Sequence, residues 1–119
     1  MCSSTGKVIG SVTASLTDPT QQFRIERNGD NYYLFSVGAQ KYVSSNGSYE
    51  ANASTPLTIQ QVNNASYPWK LSLNGNELNS QNSGQMDAGI TVSNWDTPDA
   101  GNCYYIEEAI PEDKVYTVV

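Results

Sequence analysis

The residues best suited to bind a ligand lie around Trp95. The carboxylate of Asp96 follows it directly, and the hydroxyl of Ser93 stands two positions before it. The face of an indole packs against the apolar C–H face of a sugar ring, and carboxylates accept hydrogen bonds from sugar hydroxyl groups. These residue types could therefore hold a ring that carries hydroxyl groups.

The sequence leaves two environments open for Trp95. Alternation along a strand places it on the same face as Thr91 and Ser93, which is a polar face. We therefore expect the indole to face solvent. The alternative is a core aromatic beneath the segment 96–102.

Nucleophilic and zinc chemistry find no support in the composition. The chain has no histidine, and its only cysteines are Cys2 and Cys103. Tetrahedral zinc sites and histidine-based nucleophile triads are therefore excluded. The sequence leaves open whether the two thiols form a disulfide or stay unpaired.

The carboxylates do not suggest catalysis or a metal site either. Glu107 and Glu108 are adjacent on an expected strand, so they point to opposite faces and cannot flank one glycosidic bond. The acidic residues near Trp95 lack the spacing of a calcium-binding loop; they are Asp87, Asp96 and Asp99. We expect a protein that is not an enzyme and needs no metal or cofactor.

Size and charge restrict the class of protein further. A chain of 119 residues suits one domain, and its net charge of −6 with only six Lys and Arg makes nucleic acid an unsuitable partner. No apolar run is long enough for membrane insertion, and no signal peptide is recognisable. Abundant Asn, Ser, Gly and Thr, with no sustained helical period, predict an all-β fold.

Three stretches of the chain carry related apolar patterns. Tyr33-x-Phe35-x-Val37 matches Trp69-x-Leu71-x-Leu73, and each unit ends in a similar strand. These closing strands begin at Phe23, Leu57 and Tyr104. Units this short cannot bury their own apolar faces, so we expect units at about 5–27, 32–63 and 69–109 to share one core.

Turn signals divide the units into short strands. The expected strands are Lys7–Val12, Ala14–Leu16, Gln22–Arg27, Tyr32–Val37, Lys41–Ser44, Ser48–Ala53, Leu57–Val62, Trp69–Leu73, Glu77–Asn79, Ile90–Trp95 and Cys103–Ala109. The tail 114–119 is a further strand. It either pairs beside the first unit, supplying that unit's missing strand, or begins a linker.

Three units of about four short strands in one domain of 1–119 resemble the β-trefoil of ricin-B-type sugar-binding modules. In that family a Gln-x-Trp triplet opens each closing strand. The matching triplets here are Gln21-Gln22-Phe23, Thr55-Pro56-Leu57 and Asn102-Cys103-Tyr104. The apolar member is present each time, so we expect Phe23, Leu57 and Tyr104 in the core. An SH3-like barrel or a sandwich is the alternative fold.

The resemblance implies a carbohydrate site in the third unit. It assigns Asn79 to the acidic position, Trp95 to the aromatic platform and Asn102 to the amide position, with Ser93 beside the platform. Asp96 is then the substitute for the family's carboxylate. A poorer second site would use Tyr49, Glu50 and Asn52.

The resemblance implies a weak, non-catalytic module of a secreted or cell-surface protein, joined covalently to neighbouring domains. Two other functions stay open. One is a protein-interaction module or protease inhibitor that presents the loop 81–89 or 65–68 to its target. The other is a structural accessory domain without a ligand.

Overall fold

The computed structural model describes residues 1–10, 13–80, 92–95, 100–110 and 115–118. Thirteen strands lie in these ranges. They are β1 (Cys2–Ser3), β2 (Val8–Ile9), β3 (Gln22–Asn28), β4 (Asn31–Ser36), β5 (Lys41–Val43), β6 (Tyr49–Glu50), β7 (Leu57–Gln61), β8 (Trp69–Leu73), β9 (Asn76–Ser80), β10 (Val92–Trp95), β11 (Cys103–Tyr104), β12 (Ile106–Ile110) and β13 (Val115–Val118).

The fold is all-β, as predicted, and the strands of the described ranges pair antiparallel. Helical structure in these ranges consists of short 3-10 turns, at Pro19–Gln21, Ser45–Gly47 and Ala100–Asn102. No helix in the part of the chain described is long and apolar enough to cross a lipid bilayer.

The main sheet brings the closing strands next to the strands that open each unit. The order β13–β3–β4–β7–β8 joins the tail to all three units. β8 also pairs with β11, and β12, which follows β11 after Tyr105 alone, pairs with β13. Three further pairs, β1–β2, β5–β6 and β9–β10, project from this framework. The tail strand thus lies between β12 and β3, and residues 114 and 119 lie outside the described ranges.

The core is built from equivalent positions of the three units. Phe23, Leu57 and Tyr104 are all buried, which confirms the prediction that they are core residues. They pack with further apolar side chains from the other strands, among them Leu34, Leu71, Leu73, Leu78, Val43, Val92 and Val118. Large-to-small changes in such a core typically cost about 2–5 kcal/mol.

A buried polar residue stands two positions before each of these core residues. Gln21 Nε2 donates to the Thr13 carbonyl oxygen over 2.8 Å. The Thr55 hydroxyl lies 3.3 Å from the Ser44 hydroxyl, and the side-chain amide of Asn79 donates to Asn102 Oδ1. Because unpaired buried polar groups are costly, each residue fastens its closing strand to the earlier part of its own unit.

The structure corrects two predictions in the first unit. Ala14–Leu16 is not a strand, because its backbone is held by side chains instead: the Ser15 N–H donates to Gln21 Oε1 and the Ser15 carbonyl accepts from the Thr117 hydroxyl. The strand expected over Lys7–Val12 is limited in the described residues to β2. Its partner is β1, which the sequence did not predict.

The alternation used to align the opening strands was wrong by one residue in β4. Leu34 and Ser36, not Phe35, lie opposite the closing strand's inward residues, as Leu71 and Leu73 do in the next unit. The pattern misled because Phe35 is apolar on the outer face. There it lies under the Arg24 guanidinium, 4.4 Å from the ring centre, and edge-on to Tyr42 at 5.1 Å.

The Asn74-Gly75 turn joins β8 and β9 as a hairpin. Both residues have positive φ, 54° and 84°. That pair of values is typical of a type I′ turn, whose twist matches two antiparallel strands. The turn sets the register in which Ser72 lies opposite Glu77, and so positions β9 for pairing with β10.

Candidate functional site

Trp95 lies at the last position of β10, directly opposite Glu77 on β9. Its side chain is 43% exposed, which confirms the expectation that the indole faces solvent. The strand is oriented by Val92, which is fully buried in the core. Asp96, the proposed partner carboxylate, lies outside the described residues.

Asn79 and Asn102 are brought together, but inside the protein. Their exposed fractions are 5% and 0%. Asn79 Nδ2 donates to Asn102 Oδ1, and Asn102 Nδ2 donates to Glu77 Oε2. The 3-10 turn Ala100–Asn102 delivers Asn102 into this position immediately before β11. In this arrangement Asn79 holds Asn102, and Asn102 holds the Glu77 carboxylate, so the two amides do not face a ligand.

Glu77 is the site residue that sequence reasoning missed. Its Oε1 lies 2.7 Å from Lys70 Nζ, and the two side chains are 17% and 19% exposed respectively. The other carboxylate oxygen accepts from Asn102. The sequence did contain a signal for Glu77. The resemblance calls for an acidic residue at position 79, and Glu77, which is acidic, lies on the same face of that strand.

Trp95, Glu77 and Lys70 therefore form a surface cluster on β8, β9 and β10, which we call the indole–carboxylate cluster. The carboxylate is fixed by a cation on one side and a buried amide on the other. Charge-assisted hydrogen bonds of this kind hold a group in one geometry. An aromatic face beside an oriented carboxylate can stack on a ring and accept hydrogen bonds from hydroxyl groups.

Ser93 and Asn94 fix the position of β10 and do not extend the indole–carboxylate cluster. Ser93 is half-buried and lies opposite Asn79. Asn94 Nδ2 donates to the carbonyl oxygens of Leu73, over 3.3 Å, and Asn76, over 3.1 Å. These bonds anchor the strand end from which the indole projects.

The residues proposed for a poorer second site are engaged elsewhere. The Tyr49 hydroxyl lies 2.8 Å from the Ser4 carbonyl oxygen and 2.9 Å from that of Lys7. Glu50 Oε2 accepts from the Ser54 hydroxyl over 2.7 Å. Burial opposes ionisation of Glu50, but hydrogen bonds from Ser54 and Thr55 outweigh it and lower the pKa of this carboxyl. Asn52 is exposed beside them.

The remaining candidate residues from the sequence are the two cysteines and the acidic residues Asp87, Asp99 and Glu107. Cys2 and Cys103 are not joined in a disulfide. The Cys2 thiol lies 3.2 Å from the Thr20 hydroxyl. Glu107 accepts a hydrogen bond from the exposed Tyr105 hydroxyl over 3.0 Å, which raises the pKa of that tyrosine. Asp87 and Asp99 lie outside the described residues, as does the loop 81–89.

No known protein-family model, no curated protein and no solved structure matches this chain.

Proposed function

We propose that this chain is a β-trefoil whose third unit binds carbohydrate without catalysing a reaction. The strand pairings support the fold. Following them from β13 through β3, β4, β7, β8 and β11 leads back to β12, beside β13. If β11 and β12, which only Tyr105 separates, are counted as one interrupted strand, six strands are joined in this way. Six such strands and three projecting strand pairs support the ricin-B-type trefoil that we propose.

The observation that carries the binding proposal is the exposed indole of Trp95 opposite the fixed carboxylate of Glu77. The indole supplies an apolar face for the C–H side of a pyranose. The carboxylate supplies acceptors for its hydroxyl groups, with Lys70 as a donor alongside. Asn79 and Asn102 take the role of buried supports.

Weak binding at one such site suits a module that acts together with other binding sites. An exposed aromatic and a single carboxylate give few contacts, so useful affinity depends on tethering or multivalency. We therefore place the chain in a secreted or cell-surface protein, joined to neighbouring domains. Nucleic acid and membrane insertion have no part in this proposal.

The test is a glycan array probed with the chain displayed on a tetrameric carrier, followed by titration of the free chain with any sugar that binds. Saturable binding by the wild type is expected. Trp95→Ala and Glu77→Gln should each weaken it by about tenfold or more, which is about 1.4 kcal/mol. Tyr67→Ala is the matched control, because Tyr67 is 40% exposed on a different loop.

Two results would overturn the proposal. One is a wild-type chain that binds no sugar on the array. The other is a folded Trp95→Ala chain that binds as the wild type does, while thermal unfolding shows both chains intact. Absence of any ligand would favour the structural accessory domain.

A second candidate function rests on the loop between β7 and β8. Asn64 Oδ1 accepts from the N–H groups of Ser66, over 3.1 Å, and Tyr67, over 2.9 Å. The Val62 N–H donates to the Pro68 carbonyl over 2.8 Å, so an exposed tyrosine is held on a braced loop. This favours an interaction module or protease inhibitor. Inhibition of a panel of serine and cysteine proteases, lost in Tyr67→Ala, would support it.

A further inference from the structure

The three units place matching side chains at one end of the main sheet. Ile25 lies opposite Leu34, Ile59 opposite Leu71, and Ile106 opposite Val118. Two residues before Leu34, Leu71 and Val118 stand three aromatic residues in the same register. They are Tyr32, Trp69 and Tyr116.

These two sets line one cavity of about 1500 Å³. The isoleucines form its floor, because they are partly buried and pack against the core on their other side. The aromatic residues form its rim, and Tyr32 is the most open of them, at 46% exposed. We call this feature the isoleucine cavity.

The cavity is distinct from the indole–carboxylate cluster. Its lining is drawn from β3, β4, β7, β8, β12 and β13, whereas the cluster consists of Lys70 on β8, Glu77 on β9 and Trp95 on β10. The two sites share β8, but Lys70 does not line the cavity. Neither Glu77 nor Trp95 lines the cavity. Occupation of one site therefore does not require the other.

The charges at the cavity leave an apolar interior with a polar edge. Arg24 Nε lies 3.2 Å from Glu26 Oε2, so these two residues form an ion pair. The Tyr42 hydroxyl donates to Glu26 Oε1 over 2.7 Å. Arg27 and Asp30 are both exposed at the edge. The edge therefore offers a donor group and an acceptor group, with no excess of either sign.

We propose that the isoleucine cavity binds a small, planar, aromatic compound. Aliphatic side chains below and aromatic rings around suit a flat apolar ring, which can stack on or meet the edges of the rim rings. Ligand pockets are typically concave, mostly apolar and of about 300–1000 Å³, so the space is ample for a ring compound. Covering the floor removes apolar surface from water, and the gain scales with that area.

The chain contains its own reporter for the test. Its tryptophans are Trp69, on the cavity rim, and Trp95, in the other site. Trp95→Phe leaves Trp69 as the single tryptophan and removes the other indole fluorophore. The probe is N-phenyl-1-naphthylamine, which is uncharged and carries a flat naphthalene ring. Binding is followed by energy transfer from Trp69 to the probe.

Saturable binding of one probe per chain is expected in the Trp95→Phe background. Adding Tyr32→Ala should weaken binding by about tenfold. Adding Tyr105→Ala should leave it unchanged, because Tyr105 is another exposed tyrosine and does not line the cavity. Near-ultraviolet circular dichroism confirms that each variant keeps its tertiary packing. Because Tyr32 is exposed, its truncation should not unfold the chain.

Three outcomes would overturn the proposal. They are no saturable binding, equal binding by the Tyr32→Ala and Tyr105→Ala chains, and probe binding only by a chain that has lost tertiary packing. Sedimentation at the same concentrations tests whether two chains associate through the cavity. A dimer that dissociates in Tyr32→Ala would mean that a second copy covers the cavity instead. Since Trp95 is already replaced, none of these results bears on carbohydrate binding.

Discussion

Asn46 and Asn94 are joined by a reciprocal pair of hydrogen bonds between segments 48 residues apart. The Asn46 N–H donates to Asn94 Oδ1, and the Asn94 N–H donates to Asn46 Oδ1 over 3.0 Å. Asn46 has φ of 60°, a left-handed conformation that asparagine tolerates better than most residues. The pair ties the turn of the second unit to the strand that carries Trp95.

We expect this pair to behave as a single energetic unit. Asn94→Ala and Asn46→Gly should each lower the free energy of unfolding by about 0.5–1.5 kcal/mol, because each removes the side-chain oxygen that accepts from the partner's N–H. Glycine is chosen at position 46 because it accepts the positive φ. In a double-mutant cycle from urea unfolding, the double variant should lose at least about 0.5 kcal/mol less than the sum. Strictly additive losses would contradict the coupling.

The Tyr104 hydroxyl should contribute to stability, whereas that of its neighbour should not. Tyr104 is buried and donates to the Leu78 carbonyl oxygen over 3.2 Å, and burial raises the pKa of this hydroxyl. Tyr104→Phe should cost about 1–2 kcal/mol of unfolding free energy. The matched control is Tyr105→Phe, since Tyr105 is 39% exposed. Equal denaturation midpoints for the two variants would show that the buried hydrogen bond adds nothing.

Asp18 should make stability depend on acid. It caps the turn Pro19–Gln21: its Oδ1 accepts from the Thr20 hydroxyl over 2.7 Å and from the Thr20 N–H over 3.0 Å. These two hydrogen bonds lower the pKa of the Asp18 carboxyl below its usual value. The contribution is therefore present above the unfolded-state pKa and is lost as pH falls through the folded-state pKa.

Urea midpoints measured from about pH 7 down to about pH 3 test this expectation. Asp18→Ala should be less stable than the wild type at neutral pH, and the difference should shrink as the solution is acidified. Asp18→Asn retains a capping oxygen and should lack this part of the acid dependence. A constant gap between wild type and Asp18→Ala at every pH would refute the assignment.

The contact between Met1 and Val118 predicts that a circular permutant folds. The amino group of Met1 donates to the Val118 carbonyl oxygen, and burial lowers the pKa of this group to about 5. It therefore donates as a neutral amine at neutral pH, and a peptide N–H could make the same bond. In the permutant, a linker of about the same length as the turn 37–40 joins the two ends, and the chain is opened between Asn74 and Gly75. We expect this permutant to unfold cooperatively.

Far-ultraviolet circular dichroism and thermal unfolding of the permutant give the answer. The control keeps the opening at Asn74–Gly75 but omits the linker, leaving two separate fragments. A permutant that lacks a cooperative transition would contradict the pairing of β13 between β12 and β3.

The closing strands were predictable because each unit repeats one buried apolar residue at the same place. Phe23, Leu57 and Tyr104 needed only spacing and turn signals to be found. The opening strand of the second unit was not predictable in the same way. Its inward residue Ser36 is polar, and its outward residue Phe35 is covered by other side chains, so hydrophobicity indicates the wrong face.

The candidate site could be predicted at its platform but not in its polar residues. The polar neighbours of Trp95 on its strand face indicated exposure, and the indole is exposed. The burial of Asn102 depends on the turn before β11 and on Glu77, which lies 25 residues earlier in the chain. Such a contact between distant segments leaves no periodic trace in one sequence.

The buried polar residues two positions before Phe23, Leu57 and Tyr104 also bear on the order in which the molecule folds. They span increasing lengths of chain: 8 residues between Gln21 and Thr13, 11 between Thr55 and Ser44, and 23 between Asn102 and Asn79. Loop-closure entropy rises with length, so the longest of these closures costs about 1 kcal/mol more than the shortest. We expect the amides of β11 to gain protection after those of β7 in pulse-labelled hydrogen exchange. The surface around the indole would then be the last part of the molecule to be assembled, and the first to open under stress.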